Sequence, residues 1–201
     1  MRTFLNAVVF GRYSIVTPGH LAQVRKAQEL AETVTVGVLD LSHQQGLGNE
    51  LRTVGDEFIE MCDANCSPAR NPFTIEEKLQ MWAPAVKQAF PDGTVQVESV
   101  RRPELYPDEF NHRFPAETVQ LLMTAPGPTC SEFDRLRRGE FVRRLERSVV
   151  EIEPELVVHT TDLIRTASER GEWASLLAPG VLDVFLSLNG PQRLQARNEA
   201  T

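Results

Sequence analysis

Phe4 to Phe10 is an apolar run carrying the β-branched pair Val8-Val9, and it ends at Gly11. It is too short for a helix of its own, so it predicts a central parallel strand buried on both faces. A strand of that kind needs covering layers on both sides, which commits the chain to an α/β architecture. Arg12 to Thr17 follow as a turn, and a helical pattern opens near Pro18-Gly19-His20. Strand, glycine-containing turn and helix N-terminus in that order are how α/β proteins build a phosphate site from backbone N–H groups and the helix dipole. Thr17 and His20 are therefore the first candidates for chemistry.

The charge balance narrows what such a site can serve. With 21 basic against 28 acidic residues and a net charge of -7, the chain has no global basic field for nucleic acid or an anionic membrane. An anionic substrate must be held by local cations. Three cysteines, an odd number in 201 residues, argue against a disulfide framework and for a reducing cytoplasm. No apolar run approaches the roughly 18 residues of a membrane span, and Met1 to Asn6 do not begin a signal peptide. Cys62 and Cys66 would need two more zinc ligands, and Cys130, His43 and His112 are scattered, so no metal site is read from them.

Further along, Leu21, Val24, Ala27, Gln28, Leu30 and Ala31 fall at helical spacing, with Gln23, Arg25, Lys26 and Glu29 as the polar side. Val34 to Leu39 reads as the second strand, ending at Asp40, and Glu50 to Met61 as a weak helical pattern. Thr74 with Glu77 three residues on is a capping box for a helix bearing Leu79, Trp82 and Val86, with Pro84 in a bend or near its end. Thr94 to Val100 predicts a third strand, and the proline-rich segment from Arg101 to Pro115 an irregular connection. Thr118 to Met123 is the fourth strand, Glu132 to Glu146 a helix with a basic, solvated face, and Val149 to Val158 contains the last strand. Short helices are expected around Trp173 to Leu177 and Val181 to Leu188. Trp82 and Trp173 read as core, and residues 190–201 as a disordered tail.

The sum is a Rossmann-like open parallel sheet flanked by helices, with a C-terminal helical region over 166–189 inside one domain of 1–189. Ligands of such sheets bind beyond the carboxyl ends of the strands. Thr17 and His20 follow strand one, Arg101 and Arg102 follow strand three, and Thr160 to Arg165 follow the last strand.

At these residues the chain resembles the nucleotidyltransferase superfamily. Gly11 with Thr17-Pro18-Gly19-His20 is similar to its H/T-x-G-H signature. Asn71-Pro72-Phe73-Thr74 with Glu77 and Lys78 resembles a segment of the nicotinamide-mononucleotide adenylyltransferase branch. His159-Thr160-Thr161-Asp162-Leu163-Ile164 resembles the S-T-T-D-L-I segment of choline-phosphate cytidylyltransferases, with His159 standing where Ser is usual.

The resemblance implies that His20 steadies the α-phosphate of a nucleoside triphosphate and Thr17 the departing phosphates. Phe10, Gly11, Arg12 and Gly19 would complete the nucleotide site, with Thr160, Thr161 and Arg165 at the β- and γ-phosphates and Mg2+ bridging them. Arg101, Arg102 and Arg70 are the cations for a small phosphate or phosphonate acceptor, such as phosphonoformate in a phosphonate antibiotic pathway. CTP is favoured over ATP on the 160–164 segment, and a homo-oligomer is expected. Two readings stand beside this one: an adenylyltransferase using ATP and nicotinamide mononucleotide, and a non-catalytic nucleotide-binding module. For Thr160 to Asp162 and for the Asn71 segment, plain helix capping is the structural alternative.

Overall fold

The computed structural model describes residues 2–42, 71–103, 106–123, 145, 149–152, 163, 166 and 173–199. Five strands, β1 (Phe4–Gly11), β2 (Ala31–Asp40), β3 (Val95–Arg101), β4 (Val119–Met123) and β5 (Val149–Ile152), form one sheet in the order β3-β2-β1-β4-β5. Every pairing is parallel. The apolar run at the start thus occupies the centre, as its two-sided hydrophobicity requires.

Alternation along β1 sorts the two layers. Ala7 and Val9 face a core shared with Leu21, Val24 and Ala27 of α1 (Pro18–Leu30) and with Met81, Trp82 and Ala85 of α2 (Ile75–Ala89). Val8 and Phe10 face a second cluster with Leu39, Val100, Phe110, Phe114 and Leu145. The fold is the Rossmann-like α/β arrangement that the sequence predicts.

Several expectations need correcting. Ala31, expected in the helix, is the first residue of β2, and its N–H bonds to the Ala27 carbonyl, so helix passes to strand with no loop. Pro84 lies inside α2; the carbonyl it cannot serve belongs to Gln80, on an exposed position where water can reach it. The segment expected to be irregular contains α3 (Pro107–Arg113), with Pro107 at its first position, acidic residues in the first turn and His112 and Arg113 in the last. Phe110 and Phe114, four apart, stack at 4.8 Å and seal the second cluster over Phe10.

The expected tail is also a helix. Residues 173–176 form a 3-10 turn and α4 spans Leu182–Ser187; Asn189, at φ 54, turns the chain into α5 (Gly190–Glu199). Few apolar residues occur in α5, but Leu194 is fully buried, so tertiary contacts hold it rather than propensity. The 50–61 and 132–144 helical patterns, and all three cysteines, fall outside the described residues. Among the described residues, no helix is long and apolar enough to cross a membrane.

Gln120 lies on β4 opposite Val8, fully buried, and neither of its amide atoms has a hydrogen-bond partner among the described residues. Unpaired buried polar groups cost about 1–3 kcal/mol each. Gln120→Met, close in shape and without those groups, is expected to raise the unfolding free energy by about 1–2 kcal/mol in urea titrations; an unchanged or lower midpoint would show that the amide has partners.

Candidate functional site

The sheet reverses direction of growth between β1 and β4, and there the two strands part. β1 pairs with β4 only at Ala7↔Val119 and Val8↔Gln120 among the described residues. Beyond that level Val9, Phe10 and Gly11 stay paired with β2, while Leu121, Leu122 and Met123 pair with β5. This is the switch point of the strand order, and open α/β sheets bind ligands in the crevice outside the carboxyl ends of the strands at that point.

The turn after β1 stands at this crevice. Thr17, in extended backbone at φ -113 and ψ 162, is the N-cap of α1, and Pro18 takes a first-turn position where a missing N–H costs nothing. The Thr17 carbonyl accepts from the N–H groups of His20 (3.1 Å) and Leu21 (3.3 Å). Gly19, buried in the first turn, carries one of the N–H groups at the positive end of a 13-residue helix that lie outside its internal hydrogen-bond ladder. Thr17 itself is fully buried.

His20 closes the turn from the third helical position, where a capping box usually has Glu or Gln: its Nδ1 accepts from Thr17 N–H at 3.2 Å. An accepting Nδ1 puts the proton of the neutral ring on Nε2. Burial by the surrounding chain lowers the imidazole pKa to about 4, against an opposing hydrogen bond to the Ile15 backbone. At neutral pH His20 is therefore an uncharged hydrogen-bond donor.

The sign of the pH dependence follows. Below pH 6.5 the unfolded chain protonates His20, while the folded chain resists until about pH 4, so stability falls as pH drops through that window. The full shift is worth up to about 3 kcal/mol, less to the extent that solvent reaches the ring. His20→Gln has no such titration, and denaturant midpoints at pH 7 and 4.5 should show a smaller acid loss for it than for the parent.

Around His20 sits a cluster that periodicity did not reveal. Tyr13 meets it edge-on at 5.0 Å between ring centroids and meets Trp82 at 5.1 Å; His20 and Trp82 lie 6.3 Å apart. The Tyr13 hydroxyl donates to Gln23 Oε1 at 3.3 Å, and Gln23, expected on the polar side of α1, is buried. Tyr13 holds φ 41, a left-handed conformation costing about 1–3 kcal/mol for a residue other than glycine. A Cβ at Gly11 would stand 3.1 Å from the Tyr13 ring, so glycine is needed there for close approach. The Trp82 indole N–H is buried without a partner among the described residues.

The Asn71 segment reaches the same turn. The Ser14 hydroxyl donates to Asn71 Oδ1 at 2.9 Å. The predicted capping box is formed: Thr74 N–H donates to Glu77 Oε2 at 2.8 Å and Glu77 N–H to the Thr74 hydroxyl at 3.3 Å.

Of the sequence-predicted residues, Phe10, Gly11, Arg12, Thr17, Gly19 and His20 come together along this strand and turn. Phe10 serves the buried cluster beneath it, 5.8 Å from Phe110. Arg101 ends β3 opposite Asp40, two strands from β1; it pairs with Glu109 at 3.4 Å and lies over the Tyr106 ring at 4.9 Å. Arg102 is buried. Arg70, Thr160, Thr161 and Arg165 lie outside the described residues. No group of three His, Cys, Asp or Glu side chains suited to a metal occurs among the described residues.

Tyr13 and Gln23 are the residues that the sequence reading missed. One available signal was a glutamine within the apolar stripe of α1, three residues after His20. No protein-family model matches this chain, and no curated protein sequence matches it.

Proposed function

We propose that this protein is a nucleotidyltransferase that moves CMP from CTP to a phosphate or phosphonate oxygen of a small acidic acceptor. The observation that carries the reading is the turn itself. At the crevice between the diverging strands, a helix N-terminus offers the Gly19 N–H and, beside it, a histidine whose Nδ1 is occupied by Thr17 N–H. A helix N-terminus with a neutral donor beside it suits a polyanion.

In this mechanism the acceptor oxygen attacks the α-phosphorus, an O–P bond forms, and the bond to the bridging oxygen breaks as pyrophosphate leaves with the electron pair. His20 donates Nε2–H to an α-phosphate oxygen whose charge grows in the transition state, and the amide of Gly19 and the α1 dipole favour the same charge. Thr17 fixes the turn and the imidazole, and Arg12 supplies cationic charge next to Gly11. Thr160, Thr161 and Arg165 hold the β- and γ-phosphates, and Arg101, Arg102 and Arg70 the acceptor, phosphonoformate being one fitting example. Mg2+ would be held by the substrate phosphates and water rather than by a protein cage, and would supply charge neutralisation. The enzyme works as a homo-oligomer in the cytoplasm.

The Ser14–Asn71 bond favours a second reading, an adenylyltransferase acting on nicotinamide mononucleotide, because it seats the segment resembling that branch against the turn. Pyrophosphate release, measured with Mg2+, one triphosphate at a time and each acceptor, separates the two. Release with CTP and an acidic phosphonate or phosphate is expected. Release with ATP and nicotinamide mononucleotide alone overturns the choice of nucleotide, and no release with any pair leaves the non-catalytic module.

A further inference from the structure

We propose that Tyr13 is the positioning residue for His20, holding the imidazole with Nδ1 on the Thr17 amide. This rests on the reading of His20 as the α-phosphate donor. Its geometry is independent of that reading.

Three observations converge. The Tyr13 ring stands edge-on to both His20 (5.0 Å) and Trp82 (5.1 Å), so the imidazole has an aromatic wall against it and cannot turn freely about its side-chain bonds. The phenol is tethered at its far end, by donation to Gln23 Oε1 one turn along the same helix that carries His20. At its near end the backbone sits at φ 41, and the ring covers Gly11 so closely that a Cβ there would stand 3.1 Å from it.

A left-handed tyrosine persists only where its surroundings over-determine it, and such outliers concentrate at working sites. Tyr13 is buried in the core with residues of β1 and α1, although a glycine would take the same turn without strain. What the tyrosine adds is the wall and the tether. The ring is held at its edge by hydrogen bonds to the Thr17 N–H and the Ile15 backbone, and the abutting Tyr13 ring closes one side of it. Positional looseness of about 1 Å in such a group costs on the order of 10²-fold in rate.

The test uses the full chain and NMR of the His20 ring nitrogens, alongside steady-state kinetics with CTP, Mg2+ and the acceptor. In the parent, Nδ1 should be the unprotonated nitrogen and the ring should titrate well below 6.5. Tyr13→Gly keeps the turn's backbone and removes the wall; the expected result is a mixed tautomer, a titration moved at least one unit towards 6.5, and kcat lowered about tenfold or more with KM changed less than threefold. Gln23→Leu cuts only the tether and should move the same readouts in the same direction by less. If both variants fold and His20 keeps its tautomer and titration, the positioning role is wrong. If the parent shows no turnover, the proposed function fails while the NMR readouts still decide the role of Tyr13.

Discussion

His20→Ala is expected to lower turnover by about 10²–10³-fold while KM for the triphosphate changes little, as for loss of a donor that acts mainly in the transition state. The residue also caps a helix, so a loss of activity alone would not separate chemistry from folding. His20→Gln separates them. Glutamine at the third helical position can accept Thr17 N–H as His20 Nδ1 does, at 3.2 Å in the parent, and so keeps the capping box. His20→Ala should therefore lose about 1 kcal/mol of stability as well as activity, whereas His20→Gln should lose the activity and keep most of the stability. Equal stability losses with turnover retained in the glutamine variant would mean that His20 is a cap only.

The second large effect lies in the C-terminal helix. Arg193 on α5 bonds to Glu77 at 2.7 Å and to the Pro72 carbonyl at 3.2 Å, and its guanidinium lies over the Phe73 ring at 5.3 Å. Through Glu77 it supports the α2 capping box, and through Pro72 the residue beside Asn71, which holds Ser14 in the turn. Arg193→Ala should cost about 1.5–3 kcal/mol, the range for hydrogen bonds to charged groups, towards the lower end because Arg193 is partly solvated. Ending the chain at Asn189 also removes the buried Leu194, worth a further 2–5 kcal/mol or so. Together these are a large fraction of the roughly 5–15 kcal/mol that stabilises a domain. Denaturant unfolding of the truncated chain checks this, and a midpoint equal to the parent's would restore the reading of 190–201 as a tail.

The same clasp has a pH signature. The hydrogen bond from Arg193, with that from Thr74 N–H, lowers the Glu77 pKa against the opposing effect of burial. A depressed carboxyl contributes stability above its unfolded pKa and loses it as pH falls through the folded value. The difference between parent and Arg193→Ala should hold at neutral pH and shrink below about pH 4.

What was legible in the chain had local causes. β1 declared itself because a strand covered on both faces must be apolar at successive positions, and α2 because Thr74 and Glu77 lie three apart. His20 was legible as a candidate through the turn's spacing, but its capping bond was not, since the usual box has Glu or Gln there. Proline density hid α3, although Pro107 sits at the one helical position proline favours. The sparse apolar content of α5 hid a helix that rests on Leu194 and Arg193, whose partners lie more than a hundred residues away in sequence. Tyr13 was illegible for the same reason: its conformation answers to Gly11, Gln23 and Trp82 together, and no period along the chain encodes that meeting.

Attack at the α-phosphorus is the central step of the proposed reaction, and the position of a radiolabel reads it directly. With Mg2+ and an acidic phosphonate or phosphate acceptor, label in the α-phosphate of CTP should appear in the acceptor adduct, and label in the γ-phosphate should leave as pyrophosphate, in equal amounts. Transfer of the γ-label to the acceptor, or release of either label at a rate indifferent to the acceptor, would contradict it.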